Sequence, residues 1–287
     1  MIGNDSFSLG ENDEIRMVST PRSVDIAVTG KCNLSCAYCF YADEMTSRSD
    51  LTTEQWLDFF KVLGELGVME VTLTGGEAFT RSDFFALVDG VIANRMRYSI
   101  LSNGTLITEK TLAEFQKGKR RQRLNSIQIS IDGSSADIHD HSRPNSFLRA
   151  FRGLKLLKDA GFPLTVRTTI NRYNYQDLEN TAKLLLEEVG LDEFSTNEAY
   201  PCGATNRYEE GIMLNVPQRR EVMNILTKLN EKYHDRISAT AGPLALAREE
   251  CRMQDAQRSG LKELPGYGYL TACGGVFDKL AILHDGT

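Results

Sequence analysis

The feature that most narrows the fold is an alternation. Short runs rich in β-branched and aromatic residues recur after residue 22: SVDIAVTG (23–30), EVTLTGG (70–76), YSILSNG (98–104), SIQISIDG (126–133), LTVRTTIN (164–171) and, more weakly, EFSTNEA (193–199). Each reads as a strand. Between them lie segments whose apolar residues repeat with helical period. In LTTEQWLDFFKVLGELG, Trp56, Phe59, Phe60, Leu63 and Leu66 share one face, Thr52 and Gln55 can form a capping box, and Gly67 suits a left-handed stop. Four further segments follow the same plan, the last of them NYQDLENTAKLLLEEVG. Strand then helix, several times over, predicts an α/β fold with a parallel sheet covered by helices.

Such a sheet either winds outward from a switch point or curls toward a barrel. Residues of chemical interest fall just after strands one to four: cysteines, then GGE, SNG and DG. Barrel enzymes build their sites from the loops at the C-terminal strand ends, where loops distant in sequence converge. A doubly wound sheet gathers its site at one reversal of strand order instead. The expectation is therefore a partial (β/α)6 TIM-type barrel over residues 21–205. Residues 1–20 read as an irregular lead-in. Residues 206–270 read as a helical bridge, with Asn215 and Pro217 opening a helix through Tyr233 on the apolar face Val222, Ile225, Leu226 and Leu229, and Pro243 opening another.

The loop after the first strand, TGKCNLSCAYCFYADE (29–44), carries Cys32, Cys36 and Cys39. A structural zinc site takes four ligands in a closed tetrahedron. Here Cys202, Cys251 and Cys273 are single and distant, and no histidine lies near the triplet. An iron–sulfur cubane has four irons, so three thiolates leave one iron open to another ligand. The spacing fits a cluster that performs chemistry better than one that staples the fold.

A net charge of -6 and a pI near 5.4 argue against a surface that neutralises nucleic-acid phosphates, and the basic run 117–123 reads as a solvated loop or helix end. No apolar run is long enough to span a membrane, and the N-terminus lacks a basic start and an apolar export segment, so the expected location is the cytoplasm. Disulfides are rare there, which again favours metal or redox chemistry for clustered thiols. His139 and His141, beside Asp137 and Asp140, lack the spacing of a second metal site.

CNLSCAYC resembles the C-x-x-x-C-x-aromatic-C signature of the radical S-adenosylmethionine enzymes, with Tyr38 as the aromatic. TLTGGEAF, ILSNGT, ISIDG and HDHSRPNSF resemble that family's following motifs, in order, although Ala78 stands where proline is common. The resemblance implies a [4Fe–4S] cluster on Cys32, Cys36 and Cys39 and S-adenosylmethionine on the open iron. It implies that Gly75 and Gly76 admit the methionine end, that Glu77 receives its ammonium group, and that Ser102 and Asn103 meet the ribose. Ser130 and Arg143 would hold the carboxylate, against the alternatives of inward packing for Ser130 and a surface ion pair for Arg143.

ACGGVFDKLAILHDGT (272–287) resembles the opening of the cysteine-rich SPASM extension of peptide-modifying members, with Cys273 a candidate ligand of an auxiliary cluster and DKLAILHDG a strand and turn. On that resemblance residues 271–287 begin an incomplete extension, and the chain is a shortened or degenerate form. Cys202 and Cys251 read as buried thiols rather than extra ligands. The implied function is reductive cleavage of S-adenosylmethionine to a 5'-deoxyadenosyl radical that abstracts hydrogen from a peptide side chain, forming a cyclophane or thioether crosslink in a ribosomally made precursor. A flavodoxin or ferredoxin would supply the electron. The alternatives are a sulfatase-type formylglycine maturase and a silent peptide-binding relative.

Overall fold

A computed structural model describes residues 20–45, 49–207, 211–239, 241–258 and 279–287, with side chains 252–257 and 279 outside the description. The lead-in up to residue 19 and the auxiliary-cluster candidate Cys273 lie outside the described residues.

The six strand-like runs form β1 (Ser23–Ala27), β2 (Glu70–Thr74), β3 (Arg97–Ser102), β4 (Leu124–Ser130), β5 (Leu164–Ile170) and β6 (Phe194–Glu198). Two short strands join them: β7 (Ile237–Ser238) and β8 (Lys279–Ile282). All pair in parallel, in the order β7-β6-β5-β4-β3-β2-β1-β8. From β1 to β7 each strand adds on the same side, so there is no central reversal of the kind a doubly wound sheet requires. The sheet is a partial barrel. β8 falls in the stretch expected to open the extension, yet it bonds to the free edge of β1, with Ser23 opposite Lys279 and Ile26 opposite Ile282. The core sheet and this stretch are therefore continuous.

The strands alternate. Val24, Ile26, Val71, Leu73, Tyr98, Ile100, Ile127, Ile129 and Val166 are buried in one core with the helices. The opposite face is polar: Ser126 Oγ donates to Ser99 Oγ, Ser99 to Glu70, and Arg167 to Ser195. Fully sandwiched parallel strands read as continuous apolar runs. These do not, because one face lines a lumen.

The covering helices are α1 (Thr53–Glu65), α2 (Phe84–Ala93), α3 (Glu109–Phe115), α4 (Arg120–Arg123), α5 (Ala136–Ser142), α6 (Phe147–Asp159), α7 (Leu178–Lys183, widening through Leu184–Glu188), α8 (Val216–Lys232) and α9 (Pro243–Arg258). The capping box of Thr52 and Gln55 is present, and Gly67 takes φ +81°. Trp56, Phe60 and Leu63 are buried, whereas Leu66, at the helix stop, is half exposed. Within the basic run Lys117, Lys119 and Gln122 are exposed as expected, and Arg120 alone departs from that reading: it is buried, with its guanidinium forked onto Asp89 and a further bond to Glu114. No helix among the described residues is long and apolar enough to cross a membrane.

Candidate active site

The loop that leaves β1 is held from below by Asp50, whose carboxylate accepts from Thr29 Oγ1 at 2.6 Å and from the Gly30 N–H at 2.8 Å. The turn after β2 docks on the same loop through main-chain bonds, Gly76 N–H to Thr29 O and Glu77 N–H to Lys31 O, both 2.8 Å. Here the two glycines are required. A Cβ on Gly75, at φ +143°, would lie 2.4 Å from Thr29 O, and one on Gly76 would lie 2.3 Å from Lys31 O and 3.0 Å from Cys32 Cβ. The space the glycines leave is thus filled by the cysteine loop's own backbone.

Glu77 is buried under this junction. Its carboxylate accepts from Ser102 Oγ (2.9 Å), the Asn103 N–H (2.7 Å) and the Phe79 N–H (3.2 Å). Burial pushes its pKa up, against the pull of those three donors. A carboxylate has about four acceptor sites, so one remains for a ligand donor. The Asn103 amide reaches Asn33 Oδ1 at 2.9 Å, and Asn33 reaches Thr105 Oγ1 at 2.8 Å, which pins the cysteine loop to the end of β3. Ser102 and Asn103 therefore serve first as supports of Glu77 and the loop.

On the other side stands Asp132, at the end of β4 and fully buried. It accepts from the Thr169 N–H (2.8 Å), from Arg143 Nε (2.7 Å) and from the Tyr38 hydroxyl. Arg143 is a buried ion pair rather than a surface one: its guanidinium lies 5.2 Å over the Tyr38 ring and reaches Cys36 Sγ at 3.7 Å. Burial raises the Tyr38 phenol and pushes the Cys36 thiol up to about 11, so ligation at Cys36 must displace a proton. His139 is structural: Nδ1 accepts the Asp132 N–H at 3.0 Å and Nε2 meets Ser146 Oγ at 3.0 Å.

Cys32, Cys36, Cys39, Tyr38, Gly75, Gly76, Glu77, Ser102, Asn103, Ser130 and Arg143 all border one cavity of about 800 Å³ at the C-terminal strand ends. Sequence reasoning missed its far wall, made by Gln128, Arg167, Thr169 and Asn197. The signal was available as polar residues at alternate positions of apolar strands. Cys202, half-buried, borders the cavity too, while Cys251 is exposed elsewhere. Among the described residues no three His, Cys, Asp or Glu side chains converge on a single ion. Three thiols that line one cavity are a donor set of the kind that holds an iron–sulfur cluster. The donors aimed at sulfur, Arg143 at Cys36 and the Leu34 N–H at Cys32 (3.4 Å), are of the kind that stabilise thiolate ligands.

Residues 26–185 match the model of the Radical SAM superfamily. The chain belongs to that superfamily. Its cofactors are a [4Fe–4S] cluster and S-adenosylmethionine. An AdoMet-dependent heme synthase of Methanosarcina barkeri is 26% identical over 232 residues, 80% of this chain and 64% of that one. The mycofactocin maturase MftC of Mycolicibacterium smegmatis is 31% identical over 171 residues, 59% of this chain and 43% of that one. The chain therefore spans less than two thirds of the length of either relative. Streptococcus suis SuiB, solved bound to the precursor peptide SuiA, superposes with a TM-score of 0.71 at 17% identity, covering 93% of this chain and 58% of SuiB; this likeness concerns the fold.

Proposed function

We propose that this chain is the radical-generating core of a peptide-modifying enzyme. The observation that carries the reading is the shared cavity, with three thiols and Glu77 at one end and a hydroxyl- and amide-bearing wall from β4, β5 and β6 at the other. Groups that both donate and accept suit the alternating N–H and C=O of a peptide backbone. Bound at the thiols, the cluster and S-adenosylmethionine supply a 5'-deoxyadenosyl radical able to remove a hydrogen atom from carbon.

The chain's own residues hold, orient and exclude. Cys32, Cys36 and Cys39 would hold the cluster through three of its irons, Glu77 would offer its remaining acceptor site to the methionyl ammonium, and Ser130 and Arg143, which border the same cavity, would receive the carboxylate. The Asp132 pair keeps Arg143 charged and turned toward Cys36. Likeness to a named maturase supports a peptide as the substrate, and crosslinking is the favoured outcome, a cyclophane ahead of a thioether. A formylglycine-type reaction needs an available carboxylate in the pocket; among the described residues the two that border it, Glu77 and Glu198, are both engaged, the latter by Arg219 at 2.7 Å. The heme synthase relative favours a second reading, a non-peptide substrate in the same cavity.

The test is anaerobic reconstitution with iron and sulfide, reduction, and quantification of 5'-deoxyadenosine for wild type and Cys36→Ala. Formation that the variant loses, with a precursor peptide that drops by two hydrogen masses, supports the full reading. Cofactor consumption with an unchanged peptide mass would sink the crosslinking version. Absence of 5'-deoxyadenosine despite about four irons per chain would sink the catalytic one.

A further inference from the structure

One buried histidine has no part in the chemistry just proposed. His284 sits in the turn after β8 and is 1% exposed. Its backbone N–H donates to the Tyr41 hydroxyl oxygen at 3.2 Å, and its Nδ1 pairs with the same hydroxyl at 2.5 Å, with the rings edge-on at 5.8 Å. The hydroxyl accepts from the backbone N–H and pairs with Nδ1, as acceptor or as donor according to the tautomer of the ring.

The other edge of the imidazole lies against Gly30. A Cβ there would stand 3.0 Å from His284 Nε2 and 3.1 Å from Cδ2, as well as 2.6 Å from Met45 O. Gly30 lies two residues before Cys32, and Tyr41 two residues after Cys39. A single side chain thus touches both ends of the segment that carries the three thiols. The turn is held in place from two directions: the Leu51 N–H donates to His284 O at 2.9 Å, next to the Asp50 that grips Thr29 and Gly30, and β8 is locked in register beside β1.

Inside the loop, regular structure is sparse, with turn bonds such as Cys39 N–H to Cys36 O and Ala42 N–H to Cys39 O. A loop of this kind keeps ligand geometry only as well as its surroundings fix it. We infer that His284 is a positioning residue for the cluster-binding loop, setting the separation of its two ends and with it the spacing of Cys32, Cys36 and Cys39. The inference rests on the reading of those cysteines as cluster ligands. Retention of the cluster then depends on a strand and turn more than two hundred residues downstream, at 279–287.

The experiment uses the full chain, reconstituted anaerobically as wild type, H284A, H284N, Y41F, Y41F/H284A and C36A. Iron per chain, the electron paramagnetic resonance spectrum of the reduced cluster, and the rate of iron loss to a ferrous chelator are read for each, with thermal unfolding of the iron-free forms as a check on folding. H284A is expected to lose iron roughly five- to tenfold faster, with a shifted spectrum from the clusters that remain. In H284N the amide oxygen stands near the place of Nδ1 and restores most of the retention. Y41F behaves like H284A, and the double variant is no worse than either single one. Should H284A fail to fold, Y41F and H284N decide the matter. Wild-type retention and spectrum in H284A, or in Y41F if H284A does not fold, overturn this inference alone. A wild-type chain that holds no iron overturns the ligand reading and this inference with it.

Discussion

At the scale of single residues, the site is a set of groups that leave each other no room to move. Gly76 shows this most directly, because an added methyl would meet Lys31 O at 2.3 Å. Gly76→Ala should push the turn after β2 away from the cysteine loop and lower bound iron at least several-fold, measured as iron per chain after reconstitution; a full complement would refute the packing argument. His139 carries a different consequence. Burial lowers its pKa from 6.5 to about 4, so as pH falls the unfolded chain takes up a proton before the folded one. Its contribution to stability is complete above pH 6.5 and is lost as pH falls toward 4, by about 3 kcal/mol. The stability gap between wild type and His139→Gln, followed by denaturant titration, should narrow by that amount across the window. The thiols and GGE were legible because each motif is contiguous in sequence. The DG after the fourth strand marked the place of Asp132, but its bonds to Arg143 and Tyr38, like the Asn33–Asn103 bond, were not legible, because a buried hydrogen bond between distant residues leaves no local pattern.

Elements were more legible than their margins. The runs 23–30, 70–76, 98–104 and 126–133 were read through to the glycines that follow, whereas the strands stop three residues earlier in β1 and β4 and two earlier in β2 and β3. Val28 and Ile131 beyond those ends still pack in the core, and the residues after them, with the GG and NG that follow β2 and β3, are polar or small. β7 has two residues and offers no run to read. The helix expected to open at Asn215 does so: Asn215 caps α8 with Gln218 in a reciprocal box, its Oδ1 accepting the Gln218 N–H at 2.9 Å. Asn215→Ala should cost about 1 kcal/mol of stability and leave iron content unchanged, since α8 packs away from the thiols; loss of iron would show that the bridge supports the loop as well.

For the whole molecule, the placement of chemistry after successive strands predicted the architecture, and the one-directional strand order bears it out. The far end of the cavity was marked in the sequence only as polar residues at alternate positions, Gln128, Arg167, Thr169 and Asn197; that they face one lumen is a relation among strands that no single strand displays. The pairing of Tyr41 with His284 also has a consequence in time. The two are 243 residues apart, and a ribosome adding 5–20 residues per second takes on the order of ten to fifty seconds to pass from one to the other. Throughout that interval the three thiols have been made and the turn that brackets them has not. On the reading of His284 as a positioning residue, the loop is braced at both ends only once the last residues of that turn have been made.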